Sequence, residues 1–219
     1  MPRDTVDLAT LIAWLDSFRG YVTENRAYLT ELDSAIGDAD HGINMTRGMD
    51  AVFAKIKEAQ DGGTPFATID DLFKAVGMTM VTSVGGASGP LYGTFFLRMG
   101  RTAGSAETLD AAGLGAALRA GLEGVVARGK AEAGDKTMFD AMSPALDAYD
   151  AAVAGGADAS AAADAALAAA ETGRDATTPL VARKGRASYL GERSAGHLDP
   201  GATSTALLFR SLAETLAAS

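Results

Sequence analysis

The chain has 219 residues, 47% hydrophobic and 21% charged, with 28 Asp+Glu against 19 Lys+Arg for a net charge of −9. That length and apolar content exclude a disordered chain, and the acidic balance argues against nonspecific nucleic-acid binding. The absence of cysteine excludes disulfides, thiolate catalysis and Cys-based zinc or iron–sulfur sites, and two histidines, His41 and His197, are too few for a histidine-rich metal centre.

Asp4 and Asp7 precede the first apolar residues, so no signal peptide is expected. No apolar run approaches the roughly 18 residues of a membrane span, and a soluble cytoplasmic protein is the expectation. Residues 5–19 place Val6, Leu8, Leu11, Ile12, Trp14, Leu15 and Phe18 at helical spacing. Tyr28 to Ile36 and Met45 to Ile56 repeat the pattern. A largely buried helix runs from Ile69 to Val84 and stops at Gly85-Gly86. Another, entered through Pro90 at its first position, covers Leu91 to Met99. Further helices are predicted over 108–127, 138–153 and the Ala-rich stretch 151–170, then around Thr177 to Ala182 and Thr203 to Ala217. Alternating segments of strand length are nearly absent. The expected fold is all-α, about eight or nine helices in one domain over residues 1–219.

Four polar segments between these helices carry the candidate chemistry. In LDSAIGDADHG, three carboxylates, Asp33, Asp38 and Asp40, fall within eight residues beside glycines. Their mutual repulsion is relieved by a hard cation such as Mg²⁺ or Ca²⁺. An EF-hand is rejected, because the twelfth position counted from Asp38 is Met49 where a bidentate Glu is required. A helix cap with a solvated Asp turn is the plainer alternative. In TSVGGASGP, a small-residue turn enters a helix, which makes either an anion site or a tight helix connection. RGKAEAGDKT resembles a P-loop, but Asp135 separates Gly134 from Lys136, and a helical pattern precedes it. It remains a Gly-Lys loop ahead of a helix. ARKGRASYLGERS puts four cations into eleven residues, followed by GHLDPG. Such a run is commonly a solvated surface, yet arginine's planar fork also matches phosphate oxygens. Together the four segments supply what phosphoryl transfer needs.

The segments IGDADHG, SVGGASGP, GKAEAGDKT and RKGRASYLGERS with HLDPGATS together resemble the L-subunit family of the bacterial, phosphoenolpyruvate-dependent dihydroxyacetone kinases of the phosphotransferase system. The resemblance covers nearly the whole chain. It implies a barrel of eight antiparallel helices, with a nucleotide held at one end by interhelical loops, and a phosphotransferase activity. By that resemblance Asp33, Asp38 and Asp40 bind two Mg²⁺ ions. His41, Asn44, Thr82, Ser83, Gly124, Thr137 and Met138 contact the nucleotide, and Arg186 and the turn of Asp199, Pro200 and Gly201 close over it. The nucleotide implied is a tightly bound ADP, phosphorylated by a phosphohistidine carrier (M) subunit. It passes the phosphoryl group to dihydroxyacetone on a separate K subunit, since this chain has no region for a K domain. A transcription regulator is a further implied partner. An ATP-dependent kinase subunit for a related triose or tetrose, and a nucleotide-binding regulatory module without catalysis, stay open as alternatives.

Two residue roles are expected within this scheme. His41 is a contact to the nucleotide, or to the groups that hold it, rather than a phosphorylated intermediate, because the neighbouring aspartates repel an incoming phosphoryl group. Arg186, between Gly185 and Ala187, is the catalytic arginine, with Arg183 and Lys184 on the solvated flank.

Overall fold

A computed structural model describes residues 5–218; Asp4 lies outside the described residues. Nine α-helices account for most of them: α1 (Leu8–Glu24), α2 (Arg26–Ile36), α3 (His41–Asp61), α4 (Ile69–Ser83), α5 (Ser88–Ala103), α6 (Ala111–Gly129), α7 (Phe139–Ala154), α8 (Ala159–Ala176) and α9 (Pro200–Ala218). Eight of these form a closed ring in the order α1, α3, α4, α5, α6, α7, α8, α9, with α9 packing back against α1. The connections make ring neighbours antiparallel, as the resemblance implied. The ninth helix, α2, follows α1 after a break at Asn25 and packs against the start of α3.

The ring exists because each helix has an apolar stripe that needs a partner. One core joins side chains from all eight ring helices. Trp14, Phe73 and Phe96 form its aromatic centre, with Phe73 and Phe96 stacked at 5.7 Å, and the Trp14 indole N–H donates to Leu208 O at 3.1 Å. A two-residue antiparallel ladder, β1 (Val6–Asp7) with β2 (Thr108–Leu109), fastens the chain ahead of α1 to that ahead of α6.

Several details depart from the sequence expectation. Pro90 is the third residue of α5, still within the first turn, where an N–H has no intrahelical partner to lose. The Ala-rich stretch is divided at Gly155-Gly156, so its two halves belong to α7 and α8. Residues around Thr177 to Ala182 form turns and extended chain, not a helix. Beyond them two unanticipated 3-10 turns, separated by a kink at Gly191, lie within Arg186–Ser194.

Small residues let α4 and α5 approach closely. A Cβ on Gly77 would lie 2.6 Å from Leu97 Cγ and 2.7 Å from Gly93 O, whereas one on the exposed Gly20 of α1 would meet nothing within 4 Å. Gly20→Ala is therefore expected to stabilise the protein by about 0.5–1 kcal/mol through helix propensity. Gly77→Ala should destabilise it by about 1–3 kcal/mol through overpacking. Urea unfolding of the two variants should shift in opposite directions; equal shifts would contradict the close crossing.

Candidate functional site

The two ends of the ring are capped differently. At one end α1, α4, α6 and α8 begin, and the N-cap side chains of Asp7, Thr68, Asp110 and Asp158 each accept a backbone N–H of the first turn. At the other end α3, α5 and α7 begin without such a bond from their N-cap residues, Asp40, Ala87 and Met138. Helix starts with free N–H groups attract anions. Loops 37–40, 84–87, 130–138 and 177–199 meet at this end around a cavity of about 490 Å³.

Asp33 organises the first loop. Its Oδ2 accepts the amide N–H groups of Asp40 and His41 at 2.8 and 3.1 Å, capping α3 from the last turn of α2. A Cβ at position 37 would lie 2.0 Å from Asp33 Oδ1, so only glycine lets the chain leave α2 against this carboxylate. Oxygens of Asp33, Asp38 and Asp40 lie within 4.8 Å of one another. An all-oxygen, all-carboxylate set suits Mg²⁺ or Ca²⁺ and offers no soft or nitrogen ligand. Asp38 Oδ2 accepts from Arg186 Nε at 2.7 Å, which brings the fourth loop onto the first.

His41 is buried between two hydroxyls, with Nε2 2.9 Å from Ser204 Oγ and Nδ1 3.2 Å from Ser88 Oγ. Burial depresses its pKa to about 4, outweighing the opposite pull of Asp33 and Asp40. Its imidazole is thus neutral at neutral pH. Ser204 Oγ continues to Tyr92 OH at 2.8 Å, and Tyr92 to Thr205 Oγ1 at 3.1 Å, so one hydroxyl network joins α3, α5 and α9. Asn44, one turn into α3, accepts from Arg47 Nη2 at 2.8 Å.

The third loop is shaped by Asp140, whose two oxygens accept the N–H groups of Gly134 and Thr137 at 2.6 and 2.9 Å. Lys136 is only 1% exposed, and its Nζ donates to the carbonyls of Thr177, Thr178, Leu180 and His197. Burial lowers its pKa, against the attraction of Asp199. Asp199 caps α9 through Oδ2, which accepts the Ala202 N–H at 2.7 Å, and burial pushes its carboxyl up to about 7.

The cavity wall contains Asp33, Asp38, Asp40, His41, Asn44, Thr137, Met138, Arg186, Asp199, Pro200 and Gly201. Thr82, Ser83 and Gly124 are not part of it. The Thr82 hydroxyl donates to Met78 and Thr79 carbonyls within α4, and Ser83 O accepts from Arg47 Nε at 2.9 Å. Gly124 faces α5, where a Cβ would sit 2.7 Å from Arg98 Cγ. Lys184, expected on the solvated flank, lines the cavity. Ser88, Arg128 and Lys136 also line it; each lies in one of the polar segments, but none was given a role from sequence. Lys136 lay within a quoted motif, but nothing local signalled that its ammonium turns toward carbonyls.

A DAK2 domain model matches residues 35–214. The chain is 48% identical over 211 residues to "PEP-dependent dihydroxyacetone kinase 1, ADP-binding subunit DhaL" of Listeria innocua, covering 96% of this chain and 98% of that one. It is 43% identical over 203 residues to the "PEP-dependent dihydroxyacetone kinase, ADP-binding subunit DhaL" of Escherichia coli, covering 93% and 94%. Among solved structures, the dihydroxyacetone kinase from C. freundii in complex with AMP-PNP and Mg²⁺ is similar with a TM-score of 0.69 at 26% identity. That match covers 98% of this chain and 36% of the other, so this chain spans about a third of that protein's length.

His41 and Asp199 respond to acid with opposite sign. An unfolded histidine takes up its proton near 6.5, but folded His41 does so only near 4, so it costs stability as pH falls from 7 to 5. Folded Asp199 takes its proton near 7, well above its ordinary value of 3.8, so it adds stability over the same interval. In ligand-free protein the two largely cancel. His41→Gln should gain about 2 kcal/mol between pH 7 and 5, and Asp199→Asn should lose about as much. Urea unfolding at the two pH values checks this; wild-type pH dependence in both variants would refute it.

Proposed function

The chain belongs to the DAK2 domain family, and on that premise we propose that it is the ADP-binding subunit of a cytoplasmic phosphoenolpyruvate-dependent dihydroxyacetone kinase. The observation that carries this reading is the convergence, on one cavity, of three carboxylates, helix starts lacking their own side-chain caps, and the loop bearing Arg186. Relatives matched almost end to end are named as such subunits, which supports a phosphocarrier as donor over free ATP.

When bound, tightly held ADP and two Mg²⁺ ions supply a carrier for the phosphoryl group, between a phosphohistidine (M) subunit and dihydroxyacetone on a K subunit, with its charge neutralised. The chain's own residues bind and orient. Asp33 Oδ1, Asp38 and Asp40 hold the metal ions, with Asp33 Oδ2 committed to the α3 backbone. The free N–H groups at the α5 start receive phosphate oxygens. His41, Asn44, Thr137 and Met138 line the nucleotide, and Asp199, Pro200 and Gly201 close its far side. Neutral His41 orients through its hydroxyl partners rather than forming a covalent link. Arg186 places a planar cation where charge spreads over the transferring group, an effect larger in the transition state than in the ground state. A transcription regulator remains part of this proposal as a further partner.

Asp33→Asn, Asp38→Asn and Asp40→Asn should each weaken Mg–ADP binding at least tenfold, because each removes one charge from the cluster. Isothermal titration reads this directly, and unchanged affinity in all three would remove the metal assignment. Arg186→Ala should slow phosphoryl transfer by about 10³-fold while ADP stays bound, as arginine fingers do. Arg186→Lys should recover only part of the rate, since an ammonium lacks the fork. The assay combines phosphoenolpyruvate, the phosphocarrier chain, a K subunit and dihydroxyacetone, beside native mass spectrometry for retained ADP. Wild-type turnover in Arg186→Ala would leave the arginine without a catalytic part.

A further inference from the structure

The segment between α8 and α9 leaves the ring at Thr177 and returns at Asp199, and Arg186 rides on it. Its outgoing and returning backbones are drawn together at a neck. There Thr178 O accepts the Gly196 N–H at 2.7 Å, and Ser194 Oγ accepts the Ala182 N–H at 2.8 Å. Asp135 O accepts the Arg183 N–H at 3.0 Å, which ties the outgoing side to the loop between α6 and α7.

Lys136 sits inside this neck. Its Nζ donates to Thr177, Thr178 and Leu180 carbonyls on the outgoing side and to the His197 carbonyl on the returning side. Three ammonium N–H groups therefore serve four carbonyls from both arms, and none is left for a phosphate. Hydrogen bonds to a charged donor are the stronger kind, and buried carbonyls deprived of it would be costly. Arg186 itself is largely exposed and is fixed at its tip by Asp38 alone among the described residues. What sets the location of the guanidinium is then the geometry of the neck.

We infer that Lys136 is a positioning residue for Arg186, clamping the two ends of the 177–199 segment so that the guanidinium stays over the carboxylate cluster. This rests on the catalytic part given to Arg186 above. Although the lysine borders the cavity, its ammonium is committed to the carbonyls, so its effect is on rate through placement, where a displacement of about 1 Å costs about 10²-fold.

The test uses the full chain and four variants. In ligand-free Lys136→Met, the amides of Ala182, Arg183 and Gly196 should exchange with deuterium at least about tenfold faster. Mg–ADP affinity by titration should change less than about threefold, while phosphoryl transfer slows about 10²-fold. Added to Arg186→Ala, Lys136→Met should cost nothing more, since the object it positions is gone. Ser194→Ala, which loosens the neck with Lys136 in place, should show the same pattern and decides the matter if Lys136→Met does not fold. Unchanged exchange at the three amides, or a Lys136→Met loss that adds in full to that of Arg186→Ala, overturns the inference. Wild-type transfer by Arg186→Ala overturns both readings, and is told apart because the faster amide exchange in Lys136→Met persists.

Discussion

A helix start leaves backbone N–H groups that must find acceptors, and in an antiparallel ring half of the starts fall at each end. This chain treats its two ends differently. Where α1, α4, α6 and α8 begin, Asp or Thr side chains each accept a first-turn N–H locally. At the other end α9 is capped likewise by Asp199, but where α3, α5 and α7 begin, the N-cap residues provide no such bond. The acceptors come from elsewhere, as with Asp33 reaching from α2, or are left for a ligand. The cavity lies at the end where three of the four starts lack a cap of their own.

The same end concentrates charge of both signs. Three carboxylates within 4.8 Å repel one another, and among the described residues Arg186 is the cation in contact with them, through Asp38. The net charge of −9 would disfavour a nucleotide at long range. Arg128, Lys184 and Arg186 in the cavity wall, with the helix starts behind it, offset that locally. Lys136 is used differently, since its ammonium holds backbone carbonyls and its charge helps build the wall.

Two packing features bring these groups to one place. Close crossing of α4 and α5 at Gly77 and Gly93 fixes the connection 84–87 against α3, and the closing contact of α9 with α1 brings Ser204 beside His41. The buried hydroxyls of α9 then reach His41 and Tyr92, so the network is a product of ring closure rather than of any one helix.

Helical periodicity and the lack of alternation were enough to define an all-α chain, because both are local properties of the hydrophobic pattern. The carboxylate cluster was equally legible, since Asp33, Asp38 and Asp40 are neighbours in sequence and a glycine-flanked turn keeps them neighbours in space. What needed the tertiary structure depends on distant segments. The placing of Thr82, Ser83 and Gly124 outside the cavity wall is set by the rotation of α4 and α6, which a motif does not encode. The entry of Lys184 and Arg128 into the wall depends on how the fourth loop folds back. The 3-10 turns within Arg186–Ser194 and the turn of Lys136 toward carbonyls some forty to sixty residues on arise only when the ring closes. Local sequence carries propensity and charge; the partner of a buried ammonium or a helix start is chosen by packing.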